Sequence, residues 1–150
     1  GGLGLVCASD FVLAADDAKF MSGAVRVGMA PDAGVSVTLT QLVGLRKAAE
    51  ILMTNPVISA KEALDLGLLT KVVSAQDLAA ETEAYAEQFT TMAPLALGAV
   101  KRLLWGGVGA SVKDRLSEEA RTVSELSGTA DSLEGLAAVI EKRKPTFEGR

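Results

Sequence analysis

Three short stretches hold residues whose types and spacing could do chemistry. The first is the opening Gly1-Gly2-Leu3-Gly4. A glycine turn at the start of a helix leaves main-chain N–H groups without intrahelical partners. With the positive end of the helix dipole, those donors suit an anion or a developing oxyanion. A flexible tail is the plain alternative, and a dinucleotide fingerprint fails because its third glycine falls on Cys7. The second stretch, 28–34, carries Asp32 after Pro31 and just ahead of a helical pattern. A turn or N-cap aspartate accounts for that position. So does a general base that takes and returns a proton beside a polarised carbonyl, if Val25, Val27, Met29 and Val35 supply an apolar surround. The third is the run Glu141-Lys142-Arg143-Lys144, either a solvated helix end with cations near the negative dipole or a phosphate contact. Trp105 reads as core or interface.

These residues need elements to position them. Leu3 to Ser9 reads as a short helix opening from the glycines, 10–15 as a buried strand, and Lys19 to Met21 as a second brief one. The glycines and proline between 23 and 34 mark an irregular stretch, the kind of loop in which sites lie. Helices then follow from Gly34 to the Gly44 stop and over 47–53. Ser59 with Glu62 makes a capping box for 60–66, ended by Gly67. Lys71 to Ser74 is a strand or extended connector. The rest is helical: from Ser74 or Ala75 to about Met92, from Pro94 through Trp105, over 111–127, and a last helix capped by Asp131 and ended before Pro145.

The bulk composition narrows the chemistry. With 150 residues, 49% of them hydrophobic, the chain can bury a sizeable core, and 4% aromatics leave that core to Ala, Leu and Val. A net charge of −4 and the lack of a basic stripe argue against nucleic acid. One cysteine precludes an intramolecular disulfide and agrees with a cytoplasmic home. The absence of histidine removes Ser-His-Asp and Cys-His machinery and His-ligated metal sites, so no metal is expected. No apolar run reaches the roughly 18–20 residues that span a bilayer, so no membrane partner is expected.

In order along the chain, GGLGL…SDFVLAADDAKF, VRVGMAPDAG, LVGLRKAAEILMT, ISAKEALDLGLLTKVV and EGLAAVIEKRKPTFEGR resemble the crotonase (enoyl-CoA hydratase/isomerase) superfamily over essentially the whole sequence. The resemblance implies an α/β fold, the C-terminal part of a ββα spiral. Residues 1–74 would belong to the spiral acyl-CoA-binding core and 75–150 to a helical trimerisation and CoA-covering region. It implies an acyl-CoA thioester substrate whose coenzyme A is part of the substrate, with no separate cofactor. It also implies assembly of the chain with itself as a trimer or a dimer of trimers. By position, Gly1 matches one of two oxyanion-hole N–H donors, and Lys142 matches a lysine that contacts CoA phosphates, often of a neighbouring subunit. The other donor is expected upstream of this chain, which alone is expected to be inactive.

Hydratases similar in pattern carry two catalytic glutamates. Their positions correspond here to Gly4 and Ala24, which with Val25 are expected to line the substrate site. Water addition needs one group to activate water and another to deliver a proton, so the resemblance to hydratases is incomplete. Asp32 is similar to the proposed base of ring-epoxide phenylacetyl-CoA isomerases and related enoyl-CoA isomerases. Three readings follow: an enoyl-CoA isomerase using Asp32, a divergent hydratase, lyase or hydrolase, or a catalytically degenerate homologue that binds CoA esters or only assembles. Val35-Ser36 after Ala33-Gly34 departs from the family's usual Gly-Thr.

Overall fold

The computed structural model describes residues 2–27, 29–109 and 112–150, with side chains omitted for Val27, 112–116, 118 and 119. The chain divides into two compact units, Gly1–Glu83 and Ala84–Arg150. No helix among the described residues is long and apolar enough to cross a membrane.

The first unit opens with α1 (Gly2–Ala8), followed by the strands β1 (Leu13–Ala15) and β2 (Lys19–Phe20). A single 3-10 turn over Ala24–Val27 leads to α2 (Val35–Val43) and α3 (Leu45–Thr54). Then come β3 (Ile58–Ser59), α4 (Ala60–Asp65) and β4 (Lys71–Val73). The strands make two small pairs. β1 runs parallel to β4 with Ala14 opposite Val72, and β2 runs antiparallel to β3 with Phe20 opposite Ile58. Thr70 ties the first pair at its entry: its N–H reaches the Val12 carbonyl at 2.8 Å, and its hydroxyl accepts the Val12 N–H at 3.0 Å. The core of this unit joins Leu3 and Cys7 of α1, Val35 and Leu39 of α2, Ala48 and Ile51 of α3, and Ala60 and Ala63 of α4. Alanines at 48, 60 and 63 stand among these larger aliphatic side chains, and α1 packs against α2.

The expected capping box is present. Ser59 Oγ accepts the Glu62 N–H, and the Glu62 carboxylate accepts the Ser59 N–H at 2.8 Å. Two other caps differ from expectation. The helix after Asp32 is capped by Gly34, left-handed at φ 76°, with no side-chain cap, so Asp32 is not an N-cap. The last helix, α8 (Ala130–Glu141), is capped by Thr129, whose hydroxyl accepts the Ser132 N–H at 3.2 Å. Asp131, expected to cap it, does something else (below). The helix expected from Ser74 or Ala75 begins later, as α5 (Leu78–Glu87), because Ser74 and Asp77 bond each other in a preceding turn. Its last turn, Gln88–Thr91, tightens to 3-10.

In the second unit Pro94 opens α6 (Pro94–Gly107) at its first turn, where a missing N–H costs nothing. α7 (Val112–Ser127) packs on α6 and on α8. Beyond α8 the tail folds back along it. The buried Asp131 carboxylate accepts the N–H groups of Glu148 at 2.7 Å and Gly149 at 2.9 Å, and the Asp131 N–H donates to the Arg150 carbonyl at 3.0 Å.

Candidate active site

Gly4, Ala24 and Asp32, separated by up to 28 positions, meet around one small open pocket. α1 contributes Leu3 and Gly4. The segment entering the 3-10 turn contributes Ser22 and Ala24, and the approach to α2 contributes Pro31, Asp32 and Val35. Among the described residues lining it Asp32 is the one ionisable side chain, and no described residue donates to its carboxylate. Its main-chain oxygen accepts the Val35 N–H at 3.1 Å, closing the turn into α2. Asp32 is exposed, and among the described residues its side chain has neither a capping bond nor an ion pair.

The turn that delivers Asp32 is strained. Ala33 is left-handed at φ 50° and Gly34 follows at φ 76°. Glycine takes this conformation freely, whereas for alanine it costs roughly 1–2 kcal/mol. The Ala33 methyl lies against Gly4: a Cβ built on Gly4 would stand 2.7 Å from the Ala33 Cβ. The volume at which a side chain at position 4 would begin is therefore filled by the turn carrying Asp32. A glutamate there is sterically incompatible with Ala33 where it stands.

The apolar surround differs in membership from the sequence expectation. Val35 lines the pocket, but Val25 and Met29 are 48% and 66% exposed and are not among the lining residues. The Val27 side chain, and Gly28, fall outside the described set. Leu3 and Pro31 take the apolar role instead. Ser22, which the sequence reading did not single out, brings the one hydroxyl. Its signal in sequence is slight, a lone Ser ahead of the glycine that bends the chain. Gly1, assigned the oxyanion N–H, also lies outside the described residues. Cys7, one turn beyond Gly4 on α1, is buried, and that burial pushes its thiol upward, with the Thr38 hydroxyl partly opposing. It packs the core and is no nucleophile.

Lys142 lies in the second unit as the left-handed C-cap of α8, with φ 55°. Arg143 beside it is tied to Glu134 and Glu141. The Arg143 guanidinium and, after it, the Thr146 N–H hold the Glu134 carboxyl down at about 2. Lys142 itself is exposed, and no described residue pairs with its ammonium.

Known proteins share this arrangement of elements. The family model described as enoyl-CoA hydratase/isomerase matches residues 1–150. A probable enoyl-CoA hydratase of Mycobacterium bovis is 35% identical over 150 residues, 100% of this chain and 58% of its own length. A trans-2-decenoyl-[acyl-carrier-protein] isomerase of Streptococcus mutans is 31% identical over 146 residues, 97% of this chain and 56% of its own length. Among solved structures, an enoyl-CoA hydratase subunit of Geobacillus kaustophilus superposes with a TM-score of 0.96 at 36% identity, covering 100% of this chain and 58% of that one. The chain thus spans less than two thirds of the length of these relatives. Its short strands and many helices are a portion of the crotonase fold. The chain belongs to the enoyl-CoA hydratase/isomerase family.

Proposed function

We propose that this chain supplies the base-bearing wall of a site that shifts the double bond of an enoyl-CoA thioester, with Asp32 as the proton shuttle. The observation that carries the reading is the pocket lining. Both positions that correspond to hydratase glutamates, Gly4 and Ala24, face the same space as Asp32, which brings the only carboxylate among the described lining residues. A 3-enoyl thioester has an acidic C2–H bond. Asp32 takes that proton, and the electron pair delocalises into a dienolate with negative charge on the thioester oxygen. The resulting carboxylic acid returns the proton to C4, leaving the conjugated 2-enoyl product and a carboxylate ready for the next turn. One carboxylate suffices, since the same proton leaves and returns. Main-chain N–H donors hold the oxyanion, Gly1 among them by its correspondence to the family, and such a donor contributes on the order of a hundredfold to a thousandfold in rate.

The CoA moiety is the recognised handle, and the exposed Lys142, which no described residue pairs, supports a phosphate contact. On α8, Leu133, Leu136, Val139 and Ile140 are between 62% and 80% exposed, which supports burial of this helix against further copies of the chain. The second reading, a divergent hydratase, is favoured by relatives named as probable enoyl-CoA hydratases. It requires a water-activating group beyond the pocket residues described.

The test offers 3-hexenoyl-CoA to the full-length protein, with the upstream segment that the resemblance implies for the other donor, and follows the ultraviolet absorbance of the conjugated 2-enoyl thioester. Conversion by wild type and its loss in Asp32→Asn are expected, because an amide cannot accept the proton. Undiminished conversion by Asp32→Asn removes Asp32 from the mechanism. Rapid loss of absorbance from crotonyl-CoA favours the hydratase reading, and no turnover at all favours a homologue that only binds.

A further inference from the structure

The part of the pocket wall that carries Ser22 and Ala24 is held by a residue that is not among those lining the pocket. Asn55 ends α3 in the left-handed conformation, with φ 56° and ψ 52°, and its own N–H closes the helix on the Ile51 carbonyl. It is 3% exposed. Its side-chain Oδ1 accepts the Gly23 N–H at 2.9 Å, and its main-chain carbonyl accepts a bond from Arg26 Nη2 at 3.3 Å. Gly23 stands between Ser22 and Ala24, both of which line the pocket. One residue thus grips this wall at its entry and again two residues past Ala24, across more than 25 positions of sequence.

We propose that Asn55 is a positioning residue for the acyl-thioester pocket, fixing Ser22 and Ala24 through the Gly23 amide. The proposal rests on the reading of that pocket as the acyl site. The left-handed cap by itself does not call for asparagine, because glycine adopts it more readily. Asparagine here also leaves its buried Nδ2 without a partner among the described residues, a burden that folding alone gives no reason to carry. What asparagine adds over glycine is the acceptor for Gly23. An N–H donor opposite also fixes which amide atom faces the loop.

The test compares wild type with Asn55→Gly and Asn55→Asp. Glycine keeps the left-handed cap and deletes the acceptor. Aspartate keeps an acceptor of the same shape. Hydrogen exchange at the Gly23 and Ala24 amides, thermal unfolding, and calorimetric binding of hexanoyl-CoA, which cannot isomerise, are measured on each. In Asn55→Gly, exchange at Gly23 and the Kd for hexanoyl-CoA should both rise by about tenfold, the scale of one such bond. Asn55→Asp should return both to within about twofold of wild type by restoring the acceptor. A lowered melting temperature in Asn55→Gly with unchanged Kd makes the residue merely structural and overturns the proposal. So do unchanged exchange at Gly23, a folded Asn55→Asp as weak as Asn55→Gly, or a wild type that does not bind hexanoyl-CoA. Should wild type bind but fail to isomerise 3-hexenoyl-CoA while the Asn55 variants behave as expected, the isomerase reading falls and the positioning role stands.

Discussion

Replacing Gly4 by alanine tests the packing that sets the Asp32 turn. Glycine inside a helix is ordinarily a weakness, and alanine there is worth roughly 0.5–1 kcal/mol of added stability. At Gly4 the new methyl would stand 2.7 Å from the Ala33 Cβ, about 1 Å inside ordinary carbon–carbon contact. Its other near neighbours, the Ala33 carbonyl oxygen and Val35 Cγ2, both at 3.5 Å, need not move. The opposing atom is a backbone-fixed methyl that cannot swing away, so the turn must shift, at the roughly 1–3 kcal/mol typical of overpacking. Net destabilisation of about 0.5–2 kcal/mol is expected, a fall in Tm of about 1–8 °C for a chain of this length. The decisive step is the double-mutant cycle with Ala33→Gly. That change removes the opposing methyl and relieves the left-handed alanine at φ 50°. In its background Gly4→Ala should change sign and stabilise by about 0.5–1 kcal/mol. Urea unfolding of the four proteins by circular dichroism gives the coupling. Should Gly4→Ala cost the same in both backgrounds, Ala33 is not what excludes a side chain at position 4, and the steric argument fails.

The tail of the second unit gives two more expectations. Asp131→Ala strips the acceptor from the Glu148 and Gly149 N–H groups and should lower stability by about 1–3 kcal/mol. Trypsin should then cut faster after Lys142 and Arg143, and unchanged cleavage would exclude Asp131 as the anchor. Glu134 predicts acid release of the same tail. Its folded pKa, about 2, lies below its ordinary 4.5, so its contribution is whole above about 4.5 and is lost as pH falls towards 2. Cleavage of the tail by pepsin should rise across that window in wild type and vary less in Glu134→Gln.

What the sequence made legible was local. Ser59 and Glu62 stand three apart, and Pro94 opens its own helix, so each carries its structural reason within one turn of chain. The glycines and proline of 23–34 correctly marked an irregular stretch, because backbone preferences need no distant partner. Asp131 was misread for the opposite reason. An acid at the start of a helix suits the dipole, but its partners lie 17 and 18 residues downstream, and Thr129 meets the capping need. Val25 and Met29 were expected at the pocket by proximity in sequence, whereas Val25 on the 3-10 turn and Met29 beyond it are both exposed. Leu3, Ser22 and Asn55 were invisible as site residues, since each matters only through contacts made by tertiary packing.

Gly4, Ala33 and Asp32 behave as one unit, and this bears on the chemistry the pocket can host. The methyl of Ala33 occupies the space beside Gly4 only because Ala33 adopts a conformation that alanine disfavours. That conformation belongs to the same three-residue turn that brings Asp32 to the pocket and hands over to Gly34 as the cap of α2. A carboxylate built at position 4 would displace Ala33, and with it the backbone on either side. In this backbone, then, a glutamate at position 4 and Asp32 at its observed place exclude each other. Changing Gly4 to glutamate alone should move Asp32 away from the pocket before it adds a second acid to it.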